Sequence, residues 1–290
     1  MKVIQAKSAG FCWGVRRAVN KARNIANKLN ARTDNPQSAI RNLKSKIYTD
    51  GPLIHNDQMI QQLQDEGIIE TDDPRSIPEG VLLIRAHGIS PSRHVMLKKL
   101  PLTVVDATCP DVAKIQSIIK KHVRDGYHVI IFGDTGHAEV TGLLGYAEGN
   151  GFVISHPQEI DILPEMSPVC LVAQSTQYPA YYSRIADAAR HRFTDVKILD
   201  TICKATKIRQ TELLEIAKKS DVIVVVGGLH SANTKRLVEI AQTLKPCFHI
   251  QTSNQLNQQK FQQFKIAGLT SGASTPDFII QEVKQTLESF

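Results

Sequence analysis

Three cysteines stand where helices are predicted to begin: Cys12 in "AGFCWGVRRAV", Cys109 in "DATCPDVAKIQ" and Cys203 in "DTICKATKIRQ". Cys109 and Cys203 lie 94 positions apart, and Cys12 and Cys109 lie 97 apart. Thiolates from three such turns can bind zinc, or an iron–sulfur cluster with one iron left without a protein thiolate. A helix N-terminus lowers a thiol pKa and favours bound negative charge. The competing reading is three buried structural cysteines, and spacing alone leaves both open. No pair has C-x-x-C spacing, and an odd total of five argues against a disulfide framework. Cys170 in "PVCLVAQ" and Cys247 in "KPCFHI" fall outside the pattern and read as small core hydrophobes.

The same interval recurs in the polar residues around those cysteines. "HVIIFGDTGHAEVTGLL" and "DVIVVVGGLHSANTKRL" align with a 94-residue shift, which sets His137 over Ser231 and Glu139 over Asn233. "VCLVAQSTQYPAYY" and "KIAGLTSGASTPDF" align Ser175 with Ser274, and the first third of the chain offers His55 and His87 at comparable points. Each third therefore holds a cysteine and two further polar positions at turns leading into helices. The distance from the cysteine to the second position is 28 residues in the later two thirds and 43 in the first. The excess fits a polar insertion at about 29–46. Hydroxyl, imidazole and amide groups, with helix-start N–H groups, suit a phosphate or diphosphate. Glu139 is the carboxylate in these turns able to transfer a proton; its structural alternative is an N-terminal helix residue stabilised by the dipole.

Such turns need strands and helices to carry them. Apolar runs such as "VIVVV" and "VIIF" do not alternate, as expected for a sheet covered on both faces. Strand and helix patterns alternate along the 290 residues, so the expected fold is α/β, with small, partly parallel sheets. The repeat suggests three similar domains, at 1–105, 106–196 and 197–290, in a pseudo-threefold arrangement. Lys and Arg number 35 against 28 Asp and Glu, a net charge of +7. They are scattered and not interleaved with aromatics, which fits an anionic small molecule or acidic partner better than nucleic acid. No apolar run approaches the roughly 20 residues needed to cross a bilayer, and the first residues lack a signal core. A cytoplasmic protein, or the mature form of an organellar one, is expected.

The segments "GFCWGVRRAV", "IHN", "AHGIS", "DATCP", "GHAEV", "DTIC", "HSANTKRL" and "GASTPD" together resemble the 4-hydroxy-3-methylbut-2-enyl diphosphate reductase family of the non-mevalonate isoprenoid pathway. They run in order from residue 10 to 277. The resemblance implies three α/β domains around one 4Fe–4S cluster, with Cys12, Cys109 and Cys203 as its ligands. It also implies diphosphate binding by His55, His87, His137, Ser231, Asn233 and Ser274, with Glu139 as proton donor. The implied partners are an allylic diphosphate and an electron donor such as ferredoxin or flavodoxin, and the implied state is a monomer. Three positions depart from the family pattern: Ala138 where proline is common, Ser175 where threonine is usual, and Ala232 where many members carry serine. Ala138 is expected to loosen its turn. Ser175 keeps a hydroxyl for substrate contact, and Ala232 keeps a helix-start N–H for the phosphate. A zinc-dependent hydrolase of a phosphorylated substrate, or an RNA-binding protein, are the rival readings.

Overall fold

The structure, a computed structural model, describes residues 1–33 and 47–290. The chain begins with β1 (Lys2–Gln5), α1 (Trp13–Thr33), β2 (Ile47–Asp50), α2 (Asp57–Asp65), β3 (Ile68–Thr71), β4 (Val81–Ile84), α3 (Pro91–Lys98) and β5 (Thr103–Asp106). It continues through α4 (Pro110–Arg124), β6 (His128–Phe132), α5 (Ala138–Gly145), β7 (Gly151–Ile154), β8 (Val169–Ala173), α6 (Pro179–Arg192) and β9 (Val196–Ile198). Then come α7 (Lys204–Ala217), β10 (Val222–Val226), α8 (Ala232–Gln242), β11 (Cys247–Ile250), α9 (Gln258–Phe261), β12 (Ile266–Ser271) and α10 (Asp277–Ser289). Of the insertion expected at 29–46, the first residues prolong α1 to Thr33 and residues 34–46 lie outside the described residues.

Among the described residues the strands form three four-stranded sheets, ordered β3-β2-β4-β5, β7-β6-β8-β9 and β11-β10-β12-β1. Every pairing is parallel, where the sequence suggested only partly parallel sheets. One plan repeats three times. Its first strand lies inside, its second at one edge, its third on the other side of the first, and its fourth at the far edge. In the third sheet the fourth strand is β1, whose Gln5 pairs with Leu269 of β12. The strand that opens the chain thus completes the last sheet.

Burial explains why these sequences become central strands. "VIVVV" in β10 and "VCLVA" in β8 are buried at every position, because helices cover both faces of a parallel sheet. The fourth strands β5 and β9 are only partly buried and place Thr103, Asp106 and Lys197 in solvent, as suits a sheet edge.

The chain forms two compact bodies. The terminal body comprises residues 1–15, 55–59 and 202–290 and holds the sheet closed by β1. Val224, Leu269, Ile280 and Val283 build its core on one face of that sheet, and Ile223, Val225, Leu213 and Leu237 on the other. The mid-chain body comprises residues 16–54 and 60–201 and holds the other two sheets. One core of this body packs Ile115, Ile119 and Leu143 against Val129, Ile131 and Val172, and another gathers Leu82, Ile84, Ile89 and Leu97.

Candidate active site

Parallel order puts the carboxyl ends of all four strands on one edge of each sheet, and each strand order reverses beside its first strand. Ligands of open parallel sheets bind outside the carboxyl ends at that switch point. His55 and His87 follow β2 and β4, His137 and Ser175 follow β6 and β8, and Ser231 and Ser274 follow β10 and β12. Those six residues flank the three switch points. Each cysteine follows a fourth strand: Cys109 after β5, Cys203 after β9 and Cys12 after β1. The helix it starts then carries the chain on to the next sheet. Cys109 and Cys203 are the N-cap residues of α4 and α7, and Cys12 immediately precedes α1.

In the terminal body, the Cys12 thiol accepts the Val15 N–H at 3.4 Å. The Cys12 N–H donates to the Ala273 carbonyl at 3.0 Å, next to Ser274. The Ser274 hydroxyl donates to the His55 carbonyl at 2.9 Å, so its proton is spent on joining two turns. Gly228 closes on the same carbonyl; a Cβ there would stand 2.8 Å from it, closer than real contacts allow. Ser231 caps α8 and accepts the Thr234 N–H at 3.3 Å, yet keeps its own hydroxyl proton to donate. Ala232 and Asn233 occupy the first two positions of α8. Asn233 is buried, and its Nδ2 has no partner among the described residues. An orphaned amide N–H at a helix start is a donor waiting for an acceptor, because a buried unpaired polar group is costly.

In the mid-chain body, the Cys109 N–H donates to the Ala86 carbonyl at 2.9 Å, next to His87. The bond matches that of Cys12 to Ala273. Each of these cysteines is thus pinned to the turn after the third strand of its sheet. The His87 and His137 rings meet edge to face with centroids 5.6 Å apart. In the same body α5 passes close to the start of α3 at Gly145, where a Cβ would come within 2.4 Å of Ser90 Cβ. His137 caps α5, its Nδ1 accepting the Glu139 N–H at 3.1 Å. A ring that accepts at Nδ1 carries its proton at Nε2 when neutral, which makes His137 a donor to an anion. Ala138 takes the first helical position, where proline is favoured, and the capped turn forms without it.

Glu139 is 2 % exposed. Its Oε1 accepts the Ser175 N–H and its Oε2 the Ser175 hydroxyl, both at 2.7 Å. The Ser175 hydroxyl, expected on substrate, holds the carboxylate in place. This clasp was not legible in the sequence, because the two residues are 36 positions apart. Cys170 is fully buried in the β6–β8 core, and burial pushes its thiol up to about 12. Burial likewise pushes the Cys247 thiol up to about 11 at the edge of the β10 core. Both therefore stay protonated and pack as hydrophobes, as expected. Among the described residues no helix is long and apolar enough to cross a membrane.

The family described as LytB protein matches residues 3–288. A curated relative from Opitutus terrae named 4-hydroxy-3-methylbut-2-enyl diphosphate reductase is 44% identical over 100% of both chains. Another so named, from Geotalea uraniireducens, is 38% identical over 99% of this chain and 97% of its own. Among solved structures, the E-1-hydroxy-2-methyl-but-2-enyl-4-diphosphate reductase of Plasmodium falciparum superposes with a TM-score of 0.88 at 29% identity, covering 99% of this chain and 87% of that one. A structure described as (E)-4-hydroxy-3-methyl-but-2-enyl diphosphate reductase, the terminal enzyme of the non-mevalonate pathway, gives 0.70 at 34% identity over 100% of both chains.

Proposed function

We propose, starting from the fact that this chain belongs to the LytB protein family, that it reduces 4-hydroxy-3-methylbut-2-enyl diphosphate to isopentenyl and dimethylallyl diphosphate. The substrate alcohol takes up two electrons and two protons, one C–O bond breaks, one C–H bond forms, and water leaves. The observation that carries this reading is the shared placement of Cys12, Cys109 and Cys203, each after the fourth strand of a sheet and at the start of a long helix. We assign these three as ligands of one 4Fe–4S cluster, and divide the chain into three domains near 105 and 196.

The donor set fits such a cluster. Each of the three thiols stands at a helix start, and Cys12 already accepts a backbone N–H as a cluster sulfur ligand would. Cys170 and Cys247 lack that placement and stay neutral. When bound, the cluster supplies electrons and, at the iron without a cysteine, a Lewis-acid position for the substrate hydroxyl.

The chain's own residues supply the rest. His55, His87 and His137 offer imidazole donors to the diphosphate. Ser231 and Asn233 add a hydroxyl and the orphaned amide N–H, and the Ala232 N–H opens α8 toward anionic oxygen. Ser274 acts by fixing the His55 turn. Binding the remote diphosphate fixes the reacting carbon and so lowers the entropic part of the barrier. Glu139, held by Ser175, delivers a proton; hydroxide is a poor leaving group, and general acid catalysis is typically worth about 10² to 10⁴ in rate. The excess of basic residues favours this anionic substrate and an acidic electron donor of the ferredoxin or flavodoxin kind. We place the enzyme in the cytoplasm, as a monomer.

Anaerobic turnover tests the reading. The reconstituted protein, with a low-potential reductant, should convert the hydroxylated allylic diphosphate to the two isomeric isoprenyl diphosphates with release of water. Release of inorganic phosphate or diphosphate by a zinc-loaded, iron-free protein would overturn it in favour of a hydrolase.

A further inference from the structure

A buried guanidinium joins the two cysteine turns of the terminal body. Arg209 sits on α7 and is 3 % exposed. Its Nη2 donates to the Gly10 carbonyl at 2.7 Å, two residues before Cys12. Its Nη1 lies 3.3 Å from the Ala205 carbonyl, two residues after Cys203. Its Nε is buried with no partner among the described residues, and none of their carboxylates forms an ion pair with it. Glu212, one turn further along α7, is engaged by Ser8, whose N–H and hydroxyl donate to it at 2.8 and 2.5 Å.

A cation withdrawn from water is costly unless negative charge faces it. Burial holds the Arg209 guanidinium below the usual arginine range, while the negative charge of Cys12, Cys203 and, less strongly, Glu212 works the other way. The charge that would face this cation is that of the two half-buried cysteine sulfurs whose turns it joins through the Gly10 and Ala205 carbonyls. Arginine suits the place, because its fork reaches two carbonyls at once and stays charged at any working pH.

We infer that Arg209 is the charge-compensating residue of the Cys12 and Cys203 thiolates, and that it raises the reduction potential of the cluster they hold. This deepens the proposed function and rests on it. An added electron makes the centre more negative. A fixed positive charge in a low-dielectric surrounding stabilises that state, and net charge is among the factors that set cluster potentials. Glu212 acts with the opposite sign on the same turn.

Redox titration of the anaerobically reconstituted full chain, followed by visible absorbance and electron paramagnetic resonance, separates this role from packing. Arg209→Gln should shift the midpoint to lower potential, Glu212→Gln should shift it to higher potential, and Arg209→Lys should keep it near wild type. Arg209→Gln with a full cluster at the wild-type midpoint would overturn the inference, as would shifts of the same sign in Arg209→Gln and Glu212→Gln. Should Arg209→Gln take up no iron, an unchanged midpoint in Glu212→Gln overturns it and a raised one supports it. Wild-type protein that assembles no cluster would instead refute the functional reading beneath it.

Discussion

The turns after β6 and β10 share one construction and differ in one charge. His137 and Ser231 each cap a helix, Ala138 and Ala232 each take its first position, and Glu139 and Asn233 follow 94 residues apart. Glu139 is clasped by the amide and hydroxyl of Ser175. Asn233, equally buried, has its amide nitrogen unpartnered among the described residues. A repeated scaffold thus offers an anchored acid in one copy and a neutral donor in the other. On the proposed function, the difference would give proton delivery to the first turn and anion binding to the second.

The sharpest way to break this comparison is Glu139→Gln. It keeps the size of the side chain and a partner for Ser175 but removes the acid. Turnover should fall about 10²-fold or more, the scale of general acid catalysis, with iron content and substrate affinity near wild type. A carboxylate that merely stabilised its helix N-terminus would predict a stability loss of roughly 0.3 to 1 kcal/mol with activity kept. Melting temperature and anaerobic turnover on one preparation distinguish the two. Turnover near wild type would move the proton source elsewhere, with Ser175 and Thr176, on the turn after β8, the next hydroxyls.

Asn233→Ala probes the other side. A hydrogen bond to a charged group is worth about 1.5 to 3 kcal/mol, so diphosphate affinity measured by calorimetry should fall roughly 10- to 100-fold while the cluster stays. Unchanged affinity would remove Asn233 from the anion site. Ser175→Ala is milder, since the Ser175 N–H still holds Oε1. Losing one hydrogen bond of about 1 kcal/mol should lower turnover about fivefold and leave the Michaelis constant in place. A large rise in that constant with turnover intact would mean that the hydroxyl serves the substrate instead. Cys170→Ala should be smallest in function: some stability lost from the β6–β8 core, with iron content and turnover unchanged.

The turns that carry the candidate site were legible where their signals are local. A cysteine or histidine before a helix pattern is a matter of a few residues, and the 94-residue shift that relates Cys109 to Cys203 and His137 to Ser231 made those turns support one another. The closure of the third sheet by β1 was not legible, because strand pairing over that separation leaves no trace in local periodicity. Nor was the Ser175 clasp, which tertiary packing of β6 against β8 brings about. Arg209 gave no signal either: in "KATKIRQTELL" it is one basic residue of several on a helix, and only burial singles it out. Ala138 was expected to loosen its turn. The His137 cap forms with a backbone N–H, and that bond does not depend on the residue between.

Iron and acid-labile sulfide in five single variants, purified anaerobically, test the central claim most directly. Serine at Cys12, Cys109 or Cys203 should each abolish the cluster and its visible absorbance, while alanine at Cys170 or Cys247 should leave about four irons per chain, the content of one 4Fe–4S centre. Full iron in the Cys203→Ser protein, or its loss in the Cys170→Ala protein with the fold intact, would contradict the account.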